Sequence, residues 1–351
     1  MRIALTADPE LPVPPKLYGG IERIVDMLAN GLVQRGCEVT LFAHPDSVTA
    51  GRLVPWPGRN SRSRLDTLQN AAVLAREVAG GRFDLVHSFS RIAYLTPILP
   101  LSIPKLMTYQ REISLRTIRA GYTLSRGTLS FSAISCWMMT DASRVGCWTM
   151  IPNGVPLTTY DFRPEVAPDA PLVFLGRIEE IKGPHLAIEI ARRAGRRLII
   201  AGNVPEAHRG WFEAHVAPHL GGEQVRWIGA VDDAAKNTLL GEAAALLMPI
   251  LWEEPFGIVM AEAMACGTPV LGLARGAVPE VVEDGITGFV RSDVDGLATA
   301  VGRLAQIDRA ACRARVERLY SDDAVVEAYL ALYRTMIAAR GRQGAAACAS
   351  A

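Results

Sequence analysis

The chain has no long apolar run. Nowhere among its 351 residues do 18 apolar residues follow one another, so no segment is predicted to span a membrane. The first residues, MRIALTADPE, lack the basic segment and apolar stretch of a secretory signal. The six cysteines show neither C-x-x-C pairs nor zinc spacing with the six histidines. We therefore expect reduced thiols in the cytoplasm.

The chain also has little net charge, +1 in total, with 50% apolar and 21% charged residues. This composition is typical of a folded protein, and the length favours two domains. Residues 1–150 hold 17 lysines and arginines against 11 aspartates and glutamates, whereas the remainder holds 20 against 25. The positive first half indicates an anionic partner, with ordinary surface variation as the alternative.

In the first half, short apolar runs alternate with helical patterns. RIALTA (2–7) and EVTLFA (38–43) predict strands, and residues 20–35 between them have apolar side chains at helical spacing. A second helix is predicted near 65–79, followed by FDLVHS as the third strand and by further strands at 104–109 and 128–135. Such alternation predicts a parallel sheet covered on both faces.

The alternation restarts after Pro164, with a helix predicted at 184–195 and strands at 171–177, 197–203, 225–231, 244–250 and 268–274. Proline-rich residues 153–170 indicate a linker. We predict an α/β fold of two Rossmann-like, doubly wound parallel-sheet domains facing a central cleft, where ligands of such folds bind. The predicted boundaries are 1–160, 161–320, a C-terminal helix over 321–339 that packs on the first domain, and a disordered tail over 340–351.

Two cations follow the first strand of the second domain, in LGRIEEIKG (175–183). Arg177 and Lys182 suit a diphosphate, because arginine offers a planar fork and lysine a mobile point charge. The alternative is a solvated loop in which Glu179 and Glu180 are their partners. In the first domain, Gly19 and Gly20 precede a helix whose free amides favour an anion.

The segment EEPFGIVMAEAMACGTPV (253–270) carries two carboxylates, Glu254 and Glu262. Pro255 predicts a helix that starts near it, with unpaired amides in its first turn. Carboxylates at that position suit hydroxyl groups, so the pattern fits a polyhydroxylated ligand that carries phosphate. The alternative is that Glu254 only interacts favourably with the helix dipole and that Glu262 is an ordinary residue on the helix surface. The first-turn residues are Phe256, Gly257, Ile258 and Val259.

These motifs, with GAVPEVVEDGITGFV (276–290), resemble the donor domain of family 4 retaining glycosyltransferases, which have the GT-B fold. The resemblance is specific over residues 172–300 and weaker over 1–160, through YGGIERIV, FDLVHS and IPNGV. It implies that Glu254 binds a hydroxyl of the transferred sugar, Glu262 the ribose diol, and Arg177 with Lys182 the diphosphate. Backbone groups of the residues from Phe256 to Val259 would hold sugar and phosphate, Gly20 would approach the diphosphate, and the loop around Val231 would receive the base.

Two positions depart from the family pattern. Where members often have two histidines as H-x-H, this chain has His87 and then Phe89, and Gln110 stands where a histidine is frequent. His87 is a candidate sugar or acceptor contact, with a histidine satisfied at a strand end as the alternative. Asp293 and Asp295 match a D-x-D metal pattern, but Asp293 is better explained as a helix N-cap.

The sequence and the resemblance thus predict a retaining, metal-independent glycosyltransferase that moves a sugar from a nucleotide-diphosphate sugar to an unidentified acceptor hydroxyl and needs no cofactor. We expect the donor in the second domain, 161–320, and the acceptor on the side of the first, 1–160. We expect no nucleic-acid partner. The basic segment 111–126 suggests contact of the N-terminal domain with an anionic acceptor or with the inner membrane face, a solvated helix being the alternative. Two other functions stay open: a nucleotide-sugar epimerase or hydrolase of the same fold, and a binding protein without turnover.

Overall fold

A computed structural model describes residues 1–15, 19–81 and 83–349, with side chains up to residue 340. The chain divides into two units, which we call unit 1 and unit 2. Unit 1 comprises Met1–Asn153 together with Asp322–Ala351, and unit 2 comprises Gly154–Ser321. Tyr18 of the predicted glycine motif lies outside the described residues.

Unit 1 contains a parallel sheet of seven strands in the order β3-β2-β1-β4-β5-β6-β7. The central strands read as continuous apolar runs because helices cover both faces of such a sheet, and Ile3, Ala4 and Leu5 are fully buried. The strands are β1 (Arg2–Thr6), β2 (Glu38–Ala43), β3 (Arg52–Pro55), β4 (Leu85–Ser88), β5 (Lys105–Tyr109), β6 (Leu129–Ala133) and β7 (Trp148–Met150).

Four helices follow these strands along the chain: α1 (Gly20–Gln34), α2 (Arg64–Ala79), α3 (Ile92–Leu95) and α4 (Leu115–Ser125). Helix α1 buries the stripe of apolar residues that its helical spacing predicted. Helix α2 begins after Ser63, whose hydroxyl accepts a hydrogen bond from the Asp66 amide at 3.2 Å. Such a cap satisfies one of the amides that a helix start leaves unpaired.

Unit 2 contains a second parallel sheet, of six strands in the order β10-β9-β8-β11-β12-β13. Its strands are β8 (Leu172–Leu175), β9 (Leu198–Ala201), β10 (Val225–Trp227), β11 (Ala245–Met248), β12 (Val270–Leu273) and β13 (Gly288–Arg291). Its helices are α5 (Pro184–Arg193), α6 (Arg209–His215), α7 (Asp233–Gly241), α8 (Ile258–Ala265), α9 (Val278–Val281), α10 (Val294–Val301) and α11 (Arg309–Leu319). The predicted fold class, two doubly wound parallel-sheet domains, is confirmed.

The last helix, α12 (Asp322–Ala349), belongs to unit 1. Arg35, which directly follows α1, forms ion pairs with Glu327 and Asp323 of α12, each at 2.6 Å. The apolar face of α12 is buried, including Tyr329 and Tyr333 at 1% and 0% exposure. The helix continues past residue 339, the end predicted from the sequence, and residues 350 and 351 lie outside the described part.

Three strands were missing from the prediction: β3, β7 and β13. Because β3 was missed, FDLVHS was counted as the third strand although it forms the fourth. All three lie at the edges of their sheets and have only three or four residues. Edge strands are often short and partly solvated, so the apolar run that marks a strand in sequence is weak here.

Arg309, at the start of α11, joins several loops of unit 2. Its guanidinium donates hydrogen bonds to the carbonyls of Arg163 at 2.7 Å, Ala243 at 3.0 Å and Gly241 at 3.0 Å, and to the Thr268 hydroxyl at 2.8 Å. The side chain is buried, and burial lowers its pKa. Because water does not replace these bonds inside the protein, they stabilise the unit.

We predict that Arg309→Ala lowers the free energy of unfolding by about 3 kcal/mol, since it leaves buried carbonyls without donors. Urea unfolding measures this change. The matched control is Arg318→Ala, an exposed arginine on the same helix, which should shift the free energy by less than about 0.5 kcal/mol. Equal losses in the two variants would contradict the assignment.

Candidate functional site

The loops that follow β8 and β11 lie side by side in unit 2, because these two strands are neighbours in the sheet. From β8 the chain continues to β9 on one side, and from β11 to β12 on the other. At such a switch point the two loops diverge and leave a crevice at the carboxyl ends of the strands. Arg177 and Lys182 lie in the first loop, and Trp252 and Glu254 in the second.

Lys182 and Glu254 meet directly at this point. The Lys182 Nζ lies 2.7 Å from the Glu254 Oε2, and the Trp252 Nε1 donates to the same oxygen at 3.0 Å. The Lys182 ammonium also lies 4.7 Å from the centroid of the Trp252 ring, within cation–π range. The side chains of Lys182 and Glu254 are only 18% and 10% exposed, so each charge depends on the other for much of its stabilisation.

Two glycines allow other loops to pack closely against the loop that follows β11. Gly183 has φ +74°, and a Cβ there would lie 2.0 Å from the Pro249 carbonyl oxygen. Gly276 has φ +53°, and a Cβ there would lie 2.3 Å from the Glu254 amide nitrogen. The next residue, Ala277, donates its amide to the Glu254 carbonyl at 2.9 Å. Two sequence motifs, KG and GAVPE, therefore position the same carboxylate.

Arg177 has a carboxylate partner within its own loop. Its Nη2 lies 2.9 Å from the Glu179 Oε1, and the Arg177 side chain is 39% exposed. The Glu179 carboxylate is itself buried and lies 3.4 Å from the Nε2 of His208. Arg177 therefore pairs with Glu179, as in the alternative of a loop whose cations have their own glutamates as partners. Lys182 instead pairs with Glu254.

The prediction that the helix starts near Pro255, with Phe256 and Gly257 in its first turn, is wrong: α8 begins at Ile258. Gly257 has a left-handed conformation, with φ +73°, which cannot continue into a helix, and it forms the N-cap. Phe256 is buried, with its ring 5.5 Å from that of Tyr320. Ile258 and Val259 are thus the residues whose amides lie at the helix start.

Glu262 belongs to a second polar cluster. Its Oε1 accepts hydrogen bonds from the Tyr160 hydroxyl and from the Lys236 Nζ, both at 2.7 Å. Burial raises the pKa of Tyr160, and the nearby Glu262 raises it further, so Tyr160 stays a neutral donor. Val231, the predicted base contact, is half-buried and directly precedes Asp232, the N-cap of the helix that carries Lys236.

In unit 1, Gly19 is the N-cap of α1, and Gly20 is its first residue. A Cβ on Gly19 would lie 2.7 Å from the Pro15 Cβ and 2.8 Å from the Glu22 Oε2. The position therefore has no room for a side chain. The amide of Gly20 lies at the positive end of the helix, as the sequence predicted.

His87 is fully buried in β4. Its Nδ1 lies 2.6 Å from the Tyr333 hydroxyl, and its Nε2 lies 2.6 Å from the Thr108 Oγ1. Burial lowers the pKa of His87 to about 3, so the ring is neutral. This geometry favours the alternative that we left open, a satisfied histidine, over a sugar contact. Gln110 forms a reciprocal amide pair with Asn153, at 2.7 and 2.9 Å.

The remaining candidates have structural roles. Asp293 is the N-cap of α10, as predicted, and its Oδ1 accepts from the Gly296 amide at 2.7 Å. Burial raises the pKa of the Cys266 thiol to about 12, so it is not a ready nucleophile. Within the described ranges, no group of three or more histidine, cysteine, aspartate or glutamate residues is placed to hold a metal. Over the same residues, the structure has no helix of the length and apolarity that crossing a membrane requires.

Sequence reasoning missed three residues of these clusters: Trp252, Tyr160 and Lys236. Trp252 stands two residues before Glu254, and this closeness is a signal that could have been used. Tyr160 and Lys236 are 102 and 26 residues from Glu262. Their contact follows from the packing of unit 2, for which the sequence has no local sign.

Comparison with known proteins identifies the family. The family model described as Glycosyltransferase Family 4 matches residues 18–158, and the model described as Glycosyl transferases group 1 matches residues 162–313. The chain therefore belongs to family 4 of the glycosyltransferases, and its two parallel-sheet units have the GT-B fold. The resemblance inferred from the sequence is confirmed.

Among curated proteins, the chain is 28% identical to a phosphatidyl-myo-inositol mannosyltransferase of Mycobacterium leprae, over 96% of this chain and 97% of that protein. It is 34% identical to a glycogen synthase of Mycobacterium tuberculosis over 53% of this chain, a match that spans about half, 49%, of the synthase. Among solved structures, an Anabaena protein in complex with UDP-glucose has a TM-score of 0.72 at 18% identity, covering 95% of this chain and all of that one (100%).

The buried His87 predicts a pH-dependent stability. Because its pKa is about 3 when folded and about 6.5 when unfolded, only the unfolded chain takes up this proton between those values. Stability is therefore lost as the pH falls below about 6.5. Between pH 6.5 and 5.0 we expect wild type to lose about 1.6 kcal/mol more than His87→Asn, because the slope approaches about 1.4 kcal/mol per pH unit only well below pH 6.5. Parallel pH profiles of unfolding free energy in urea would contradict this.

Proposed function

We propose that the protein is a retaining glycosyltransferase that moves a hexosyl group from a nucleotide-diphosphate sugar to an acceptor hydroxyl. The observation that carries this proposal is the Lys182–Glu254 pair at the switch point of unit 2, 2.7 Å apart and largely shielded from water. A cation there suits a leaving diphosphate, and a carboxylate beside it suits a sugar hydroxyl.

The donor would displace the contact between these two charges. Its diphosphate supplies a stronger anion for Lys182, and Glu254 then accepts a hydrogen bond from a hydroxyl of the transferred sugar. Arg177 lies in the same loop and adds a second cation. Amides of Ile258 and Val259 at the start of α8 would hold sugar and phosphate oxygens, because the first amides of a helix have no intrahelical acceptor.

The remaining donor contacts keep the roles that the family resemblance implies. Glu262 would accept hydrogen bonds from the ribose diol, with Lys236 and Tyr160 holding its carboxylate in place. The loop at Val231 would receive the base, and backbone groups of Phe256 and Gly257 would contribute to the sugar site. The amides of Gly19 and Gly20 would contact the diphosphate.

In the proposed reaction, the acceptor oxygen attacks the anomeric carbon from the side on which the diphosphate leaves. The bond from that carbon to the phosphate oxygen breaks, the new glycosidic bond forms, and the acceptor proton passes to the departing phosphate oxygen. The protein contributes by orienting the two substrates and by neutralising the developing negative charge with Arg177 and Lys182. These cations supply the positive charge that a metal would otherwise provide, so we propose metal-independent turnover without a cofactor.

The relatives support the substrate class. The mannosyltransferase, which matches along almost its whole length, transfers a sugar according to its name, and the Anabaena protein was crystallised with UDP-glucose. We further propose a cytoplasmic enzyme that contacts an anionic surface through unit 1. Exposed Arg116, Arg119 and Arg126 on and after α4 support this contact.

The first test is thermal unfolding against UDP-, GDP-, ADP- and dTDP-sugars, with magnesium or with EDTA. At a hundred times its Kd, the correct donor should stabilise the protein by about 2.7 kcal/mol, equally in both buffers. A flat panel would contradict donor binding, and a shift only with magnesium would contradict metal independence. Conversion of the donor alone to an isomer would instead indicate an epimerase, and binding without any product would indicate a binding protein.

The second test is kinetic. Lys182→Ala should lower kcat by at least about tenfold, or about 1.4 kcal/mol at the barrier, because it removes charge stabilisation from the leaving group. Glu262→Ala should raise the donor Kd. The control, Arg197→Ala, removes a cation that pairs with Asp169 at the amino end of β9 and should leave both parameters unchanged. Unaltered kinetics in Lys182→Ala and Glu262→Ala would remove the site assignment.

A further inference from the structure

The loop that follows β8 packs against the loop that follows β9, because these two strands are neighbours in the unit 2 sheet. The Ile178 amide donates to the Asn203 carbonyl at 2.9 Å. Gly202 has φ +142°, and a Cβ there would overlap the carbonyl oxygen of Gly176. The two loops are therefore held at a close spacing, so that a side chain on one can act on a side chain of the other.

Glu179 and His208 meet between these loops. Glu179 lies in the loop after β8, and His208 ends the 3₁₀ turn Glu206–His208 in the loop after β9. The Glu179 Oε2 lies 3.4 Å from the His208 Nε2, and the Glu179 Oε1 lies 2.9 Å from the Arg177 Nη2. One carboxylate is thus shared between a histidine and a cation of the proposed donor site.

Glu179 is the most deeply buried of these three groups. Its side chain is 6% exposed, whereas those of Arg177 and His208 are each 39% exposed. A carboxylate with little water around it acts strongly on the charges beside it. Although the Oε1 is close to Arg177, it has no hydrogen-bond partner among the described residues. The contact between Arg177 and Glu179 therefore rests on charge and not on an aligned hydrogen bond, and the guanidinium can turn to another anion.

Glu179 opposes the role that we propose for Arg177. A carboxylate 2.9 Å from the guanidinium neutralises part of the positive charge that a diphosphate would meet. The donor must compete with Glu179 for Arg177 and must bind near a like charge. A cation on the other side of Glu179 would reduce this cost. His208 is placed to supply one, since histidine is the side chain that ordinarily gains a charge between about pH 8 and about pH 5.

The other charges near His208 have partners of their own. On its own segment, Glu206 pairs with Arg209 at 3.3 Å. In the loop after β8, Lys182 pairs with Glu254 at 2.7 Å. Three further titratable groups lie on the elements packed against His208, and within the described ranges none forms an ion pair with it: Glu180, Glu213 and His215. A charge on His208 therefore acts chiefly on Glu179.

We propose that Glu179 and His208 are positioning residues for Arg177 and make donor binding depend on pH, a role that rests on the proposed function. With His208 neutral, Glu179 holds the guanidinium and lowers the affinity for the donor. When His208 takes up a proton, its charge offsets that of Glu179, and Arg177 turns to the diphosphate. Donor affinity thus rises as the pH falls from about 8 to about 6.

The first test is calorimetric titration of the full chain at both pH values with UDP-glucose, GDP-mannose, ADP-glucose and dTDP-glucose. The diphosphate of these probes is esterified at both ends, so its charge is constant over this range. For a probe that binds, we expect a Kd at least about threefold lower at the lower pH, since the ion pairs involved are partly exposed. Glu179→Gln should bind tightly at both pH values, and His208→Gln weakly at both.

The matched controls remove the same kinds of charge elsewhere in unit 2. Glu213→Gln changes an exposed glutamate of α6, and His219→Gln changes a half-buried histidine of the turn Ala217–His219. Both variants should keep the pH response of wild type. The inference is overturned if a bound probe has the same Kd at the two pH values, or if His208→Gln responds to pH as wild type does.

The second test needs no donor. In protein labelled with nitrogen-15 on arginine, the Nε–H signal of Arg177 can be assigned by its loss in Arg177→Lys. Between the two pH values this signal should move in wild type and in the two controls, and should stay in place in Glu179→Gln and His208→Gln. Equal movement in all variants would overturn the inference. Movement as expected, with no nucleotide sugar bound, would support the link from His208 to Arg177 and would instead overturn the proposed function.

Discussion

The parallel direction of the strands decides where chemistry can take place in this protein. In each sheet all strand pairs are parallel, so every strand ends at the same edge, and the loops that leave this edge must diverge wherever the strand order changes direction. In unit 2 that constraint brings together Lys182 and Glu254, which are 72 residues apart in sequence. In unit 1 it places Asp8, Ser90 and Gln110 around one cavity.

The pairing of Lys182 with Glu254 also affects the orientation of both side chains. A shielded ammonium and a shielded carboxylate are each costly to hold alone, but together they offset much of that cost. The pair can therefore keep both groups oriented before a ligand arrives. In the proposed function, the donor supplies an anion for Lys182 and a hydroxyl for Glu254, and this double requirement would discriminate against simple phosphates and against neutral sugars.

The sequence was most informative about features that depend only on neighbouring residues in the chain. The loop of Arg177 and Lys182 was predicted from its position after an apolar strand, and the cap at Asp293 from the helix that follows it. The partners of these residues were not predictable in this way. Whether Lys182 contacts Glu180 or Glu254 depends on which strand lies beside β8, and strand order is a property of the whole sheet.

Two other features of the structure were not evident from the sequence, one for a local reason and one for a long-range reason. The predicted start of α8 is three residues too early because Pro255 favours the first turn of a helix. Gly257 has a left-handed conformation, however, so the helix begins only after it. The environment of His87 depends on Tyr333, 246 residues away, and no pattern around FDLVHS indicates that a tyrosine from the last helix reaches it. The family resemblance implied roles for residues of the candidate site, but it did not predict the contacts between their side chains.

The return of α12 to unit 1 has a consequence for synthesis on the ribosome. Unit 2 is a continuous segment, Gly154–Ser321, whereas unit 1 lacks Tyr329 and Tyr333 of its interior until the last 30 residues of the chain have emerged. The first unit to be translated is thus the last to be complete. While the nascent chain grows, His87 and the apolar surface of α1 stay without a helix that is translated only after unit 2. A premature stop after Ser321 would leave the N-terminal half exposed to chaperones and proteases.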